Sequence, residues 1–144
     1  MNSLRPSNST AEFILQALPA LFLAILFLQS GVDKVVDRKG NLDFLTGHFG
    51  KTPLRTMVGP MLLSITVLEL LTGVLSALGF LQLVFAQVSV LAYWGAVAAA
   101  LTLLALFSGQ RIAKDYAGAA GLVPYFLVAL AAIYLERGSS IWGR

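Results

Sequence analysis

The chain is 144 residues long, 58% hydrophobic and only 12% charged, with a mean hydropathy of +0.82. Soluble domains carry about a quarter charged residues, so this chain cannot cover a water-facing globule, and a disordered chain and a soluble nucleic-acid binder are excluded with it. The net charge of +3 reads as membrane topology, and the absence of cysteine removes disulfide exchange, thiolate chemistry, iron–sulfur ligation and cysteine-based zinc sites.

Four apolar segments, 13–31, 57–80, 83–107 and 117–135, each match the roughly 17–25 residues that a helix needs to cross a bilayer. Every charged residue except Glu69 lies outside them, and none has the polar face of a soluble bundle helix. The expected fold is an all-α membrane protein, a single four-transmembrane-helix bundle with a short interfacial helix in its first loop.

Ahead of the first span, Ser9 and Glu12 form a capping box, which predicts a retained helix rather than a cleaved leader. Pro19 predicts a kink inside that span. In the first loop, Asn41 is placed to cap a short helix whose Leu42, Phe44, Leu45 and Phe49 form an apolar side, as an interfacial helix requires. A plain connector is the alternative. Thr52 and Pro53 supply an N-cap and a first-position proline for the second span, whose start Gly59–Pro60 bends or delays. Residues Gly79 to Gln82 leave almost no loop before the third span, so a tight antiparallel hairpin is expected there.

Two segments, FLQSGVDKVVD and LFSGQRIAKD, align Ser30–Gly31 with Ser108–Gly109 and Asp37 with Asp115. This hints at a duplicated helical hairpin, although Ser-Gly followed by basic residues is also what a helix C-terminus prefers. The first and third loops hold Lys34, Arg38, Lys39, Lys51, Arg55, Arg111 and Lys114, against Arg5, Arg137 and Arg144 on the opposite side. The positive-inside rule then puts both loops in the cytoplasm and both termini outside.

Glu69 is the strongest chemical signal. A carboxylate near the middle of a span costs at least ~2.5–3.5 kcal/mol, so a functional role is the default reading. Depth matching from span midpoints selects Tyr93, Trp94 and Tyr125 as its partners, with Thr66 and Thr72 one turn away on its own helix. Lys34, at a span end about a dozen residues' rise away, is expected not to pair. Two roles stay open for Glu69: a ligand or proton site, or an interhelical clamp with no ligand. Tyr116, Tyr134 and Trp142 lie near span ends as interfacial anchors, while Tyr93 and Trp94 read as too deep for that. Gly73 with Ala77, the group Ala92, Gly95, Ala96 and Ala99, and Gly118 with Gly121 predict close helix contacts.

Several chemistries are excluded. His48 is the sole histidine, so bis-histidine haem within one chain is not available. Walker A, G-x-G-x-x-G and G-x-S-x-G motifs are absent. A two-metal carboxylate bundle needs more than the one glutamate that the spans hold. No catalytic residue and no metal ligand set is expected, nor any covalently bound cofactor; a quinone or lipid is the candidate ligand.

A first span leaving through FLQSGVDKVVD, a partly amphipathic loop, and a second span carrying LELLTGVLSALG around its central Glu resemble the DoxX family over roughly residues 13–135. The matching positions are Ser30, Gly31, Lys34, Glu69 and Gly73. The resemblance implies a small four-helix protein of the bacterial inner membrane, with relatives linked to quinol-oxidising or thiol-redox assemblies, and relatives that act as assembly chaperones. The cysteines of its thiol–quinone oxidoreductase relatives are missing here, so that activity does not carry over. The expected function is an accessory, non-catalytic subunit of a redox or respiratory membrane complex, with lipid and other membrane subunits as partners and no nucleic acid. A standalone quinone- or lipid-binding protein with a site near Glu69, and a membrane-protein assembly factor, are the alternatives.

Overall fold

The computed structural model describes residues 8–137; Arg5, Trp142 and Arg144 therefore lie outside the described residues. The elements are α1 (Asn8–Val36), α2 (Arg38–His48), a 3-10 turn (Pro53–Thr56), α3 (Val58–Ala86), α4 (Val90–Ile112) and α5 (Tyr116–Glu136). Among the described residues there is no strand. α1, α3, α4 and α5 are each long and apolar enough to cross a membrane. They form a four-helix membrane bundle whose largest interface is α1 on α3, followed by α3 on α4 and α4 on α5 to equal extents.

The distribution of side chains inverts that of a soluble bundle. Large apolar residues at helical spacing face outward, including Leu18, Phe22 and Ile25 on α1 and Leu63, Val67, Leu71, Val74 and Leu78 on α3. The interior is built from small and hydroxyl side chains, among them Ala92, Ala96, Ala99, Ala129, Ala132, Thr72, Ser76 and Thr102. Lipid tails are as apolar as leucine, so burying leucine between helices gains little, and close van der Waals contact sets the interfaces instead. Leu23 and Phe27 of α1 fill the space that Ala96 and Ala99 of α4 and Ala129 and Ala132 of α5 leave open.

The backbones approach most closely at glycines. A Cβ on Gly73 would come within 2.7 Å of the Leu28 nitrogen, and one on Gly31 within 2.7 Å of the Leu70 side chain. These contacts fix the register of α1 against α3. Across the α3–α4 interface Gly95 lies on Ser76, and Gly79 packs directly on the Ala92 backbone.

That last contact overturns the expected hairpin turn. α3 continues through Gly79–Gln82 to Ala86, and the turn falls at residues 87–89. Gly79 is a helix-interior contact glycine, and Gln82 accepts the Leu91 N–H at 3.0 Å, satisfying an otherwise orphaned donor at the start of α4. Gln87 ends α3 by taking a left-handed conformation, φ 53°. The third span consequently begins at Val90 rather than near residue 83 and runs to Ile112.

Two caps also differ from expectation. Asp37, not Asn41, caps α2, accepting from the Gly40 N–H at 3.1 Å, while the Asn41 amide donates to the Asp37 carbonyl. Thr52 is an N-cap as expected, with Pro53 following, but the helix it opens is the separate 3-10 turn, and α3 starts afresh at Val58. Asp115 repeats the role of Asp37. It caps α5 by accepting from Gly118, three residues on, at 2.8 Å. The two aligned aspartates thus do the same local work.

Candidate functional site

Glu69 lies on the buried stripe of α3 with Thr66, Thr72 and Ser76. Its carboxylate is held by α1. Ser30 Oγ donates to Oε1 at 3.0 Å, and Lys34 Nζ forms an ion pair with Oε2 at 2.8 Å. Lys34 in turn donates to Ser30 Oγ at 2.9 Å, which closes a three-membered ring of Lys34, Ser30 and Glu69. Oε2 is buried and receives no aligned hydrogen bond, so its stabilisation by Lys34 is a charge contact.

The expectation that Lys34 is too far to pair is therefore wrong, and the reason is geometric. α1 continues as helix past the predicted span end to Val36, so Lys34 projects from a helix and not from a loop. With Gly31 against Leu70 and Leu28 against Gly73, Lys34 stands nearly level with Val67, about 3 Å along the axis from Glu69. By the same register α3 starts about 10 Å beyond the end of α1. Matching span midpoints ignores that stagger. The signal in the sequence was the spacing of Ser30 and Lys34, four residues apart and so on one helical face.

The partners chosen by depth are elsewhere. Tyr93 and Trp94 sit in the first turns of α4, edge to face at 5.4 Å, with Trp94 half exposed. Because α4 starts at Val90, they lie in its first turns and not midway along it as expected, and helix ends are where interfacial aromatics concentrate. Tyr125 packs against Phe22 with ring centroids 6.1 Å apart, within the cluster of Leu23 and Phe27. Neighbouring hydroxyls are also committed. Thr66 donates to its own helix at the Leu62 carbonyl, and Thr72 shares a 3.0 Å hydrogen bond with Thr102 of α4.

The five positions Ser30, Gly31, Lys34, Glu69 and Gly73 thus converge on a single stretch of the α1–α3 interface. The glycines permit the approach, and the ring of polar groups fills it. Chemically, the arrangement neutralises one carboxylate with one ammonium and uses the adjacent hydroxyl as both donor and acceptor. Among the described residues no group of three or more His, Asp or Glu side chains is placed to hold a metal ion.

Two polar features went unread in the sequence. His48 Nε2 meets Gln110 Oε1 at 2.7 Å and lies 3.9 Å from Asp115 Oδ2, tying α2 to the α4–α5 turn. Glu136, one residue past the predicted end of the fourth span, is buried, and Ser89 Oγ donates to its backbone carbonyl at 2.9 Å. The chain matches no protein-family model, no curated protein and no solved structure.

Proposed function

We propose that the chain is a non-catalytic accessory subunit of a larger integral membrane assembly, of the DoxX kind, and that Lys34, Ser30 and Glu69 form its internal clamp. The observation that carries this reading is the commitment of the Glu69 carboxylate to α1 by a serine and a lysine of the same chain. A carboxylate held in this way fixes helix packing. The convergence of Ser30, Gly31, Lys34, Glu69 and Gly73 on one contact supports the family resemblance, and the redox or respiratory setting follows from that resemblance alone.

The excess of lysine and arginine in the two loops supports cytoplasmic loops and external termini in a bacterial inner membrane. A reporter fused to the C-terminus tests this orientation; a cytoplasmic signal reverses it.

Native mass spectrometry of the protein, extracted gently from its own membranes at natural abundance, tests the function. Co-migration with other membrane subunits in a defined assembly is the expected result. A lone chain or small homo-oligomer carrying an adduct of quinone mass overturns it in favour of a standalone binding protein.

A further inference from the structure

At the end of the bundle opposite the chain termini, α2 follows α1 and carries no buried residue, so its last turn decides where it sits. That turn ends in His48, the sole histidine of the chain. His48 Nε2 lies 2.7 Å from Gln110 Oε1, which only accepts, so the neutral ring keeps its proton on Nε2 and donates it there. The same nitrogen is 3.9 Å from Asp115 Oδ2. Gln110 and Asp115 are themselves braced. The Asp115 N–H donates to the Gln110 carbonyl at 2.9 Å, and Asp115 Oδ1 accepts from the Gly118 N–H at 2.8 Å. One carboxylate oxygen is thus committed to α5, and the other faces the histidine.

Imidazole is the side chain that ordinarily gains its charge between about pH 8 and pH 5. On His48 a second proton favours the contact in three ways. The hydrogen bond to Gln110 becomes charge-assisted. Asp115 gains a cation to face. The ring also occupies the last turn of α2, where positive charge complements the helix dipole. The charged groups on the surrounding elements are placed elsewhere. On α3 the single ionisable residue is Glu69, which is paired with Lys34 of α1. On α4, Arg111 holds its guanidinium over the Tyr116 ring, 4.5 Å from its centroid. Arg38 and Lys39 stand at the far end of α2, about 14 Å along its axis, and Asp37 there is committed to the Gly40 N–H. Asp33, Asp43, Lys51, Arg55 and Lys114 complete the ionisable groups of this end, and none of these cations pairs with Asp115.

We infer that His48 is a proton-operated latch on the loop helix: protonation tightens the hold of α2 on the α4–α5 turn, and loss of the proton loosens it. The sign follows from linkage. A carboxylate is ionised throughout the range in which imidazole titrates. The added hold is therefore present on the acid side and is lost as pH rises through the titration of the histidine. The neutral hydrogen bond to Gln110 persists on the alkaline side, so the helix is loosened by degrees and not released outright. The latch stands apart from the Lys34–Glu69 clamp and does not depend on the accessory-subunit reading.

The test is amide hydrogen exchange of the full chain in detergent at about pH 5.5 and about pH 8, with each rate divided by the intrinsic rate at that pH. Protection across residues 42–48 is expected to be about fivefold higher at the acid pH, the combined size of a surface ion pair and a charge at a helix end. Protection in the interiors of α3 and α4 stays the same at both. His48→Gln brings the ratio to about one. Asp115→Asn retains an oxygen for the Gly118 N–H but removes the charge, and reduces the ratio to about twofold. A ratio near one in the unaltered protein overturns the proposal. So does an undiminished ratio in His48→Gln, which assigns the pH response to another group, or in Asp115→Asn, which removes the carboxylate from the latch. If Asp115→Asn frays the start of α5, seen as lost protection at residues 118–120, His48→Gln alone decides.

Discussion

Lys34 Nζ and Glu69 Oε2 lie 2.8 Å apart, yet their side chains are unequally buried, 17% exposed for the lysine and 2% for the glutamate. The pair is thus anchored at its carboxylate end and open at its ammonium end. Desolvating two charges costs several kcal/mol per ion, which their attraction and the Ser30 hydrogen bonds offset. The value of the pair therefore lies mainly in what happens when one member is removed.

Lys34→Met strands a buried carboxylate and is expected to destabilise by about 3–5 kcal/mol. Glu69→Gln is milder, about 1–2 kcal/mol, because the amide still accepts from Ser30 and the lysine can extend to the headgroups. The double change Lys34→Met with Glu69→Met recovers most of the loss. Unfolding by a denaturing detergent in mixed micelles measures all three; equal losses from Lys34→Met and Glu69→Gln rule out this asymmetry.

The four spans and their apolar exteriors were legible because bilayer crossing imposes length and hydropathy on the chain itself. Helix ends were not. Within α3 the run Gly79–Gln82 looks like a break, and only its contact with Ala92 explains why the helix runs through it. Moving that turn by a few residues shifts Trp94 from the expected middle of a span to the first turns of α4, where it is half exposed. The clamp was half legible: Glu69 announces itself by its cost, while Lys34 is hidden by a stagger between α1 and α3 that depends on packing. Glu136 escaped notice because one residue separates it from the predicted span end.

The glycines on the helix contacts are expected to rank by what an added methyl would strike. Gly79→Ala drives a Cβ into the Ala92 backbone, which cannot move aside, whereas at Gly31 the nearest atoms belong to the Leu70 side chain. Gly79→Ala is therefore the worst of the series at about 1–3 kcal/mol, with Gly73→Ala next and Gly31→Ala least. Gly121→Ala meets open space and is neutral or stabilising by about 0.5–1 kcal/mol. Thermal unfolding of the four variants in one detergent checks the order, and a Gly121→Ala loss as large as that of Gly79→Ala contradicts it.

Gln87 and Lys114 hold the left-handed conformation, φ 53° and 59°, where the two central turns leave their helices. A side chain there costs roughly 1–2 kcal/mol that glycine avoids. Gln87→Gly and Lys114→Gly are each expected to raise stability by about 0.5–1 kcal/mol after the extra chain entropy of glycine is deducted. Both effects should add in the double variant, since the turns lie on opposite ends of α4. A fall in melting temperature for either variant shows that its side chain holds a contact worth more than the strain.

The loop helix α2 contains no buried residue, so its position depends on its C-terminal end. There His48 bonds Gln110 and is sandwiched by Phe44 and Phe49, with ring centroids at 5.3 and 5.1 Å, and the buried Phe49 ring lies against Gly109. Local opening is cheapest where few contacts hold an element. His48→Ala or Gln110→Ala is therefore expected to raise amide exchange across residues 42–48 about tenfold, the equivalent of one hydrogen bond of ~1.4 kcal/mol. Exchange in the interiors of α3 and α4 stays unchanged, because their hydrogen bonds do not depend on α2. If exchange across 42–48 does not respond, the helix is held by the lipid surface and the His48 contact contributes nothing to its place.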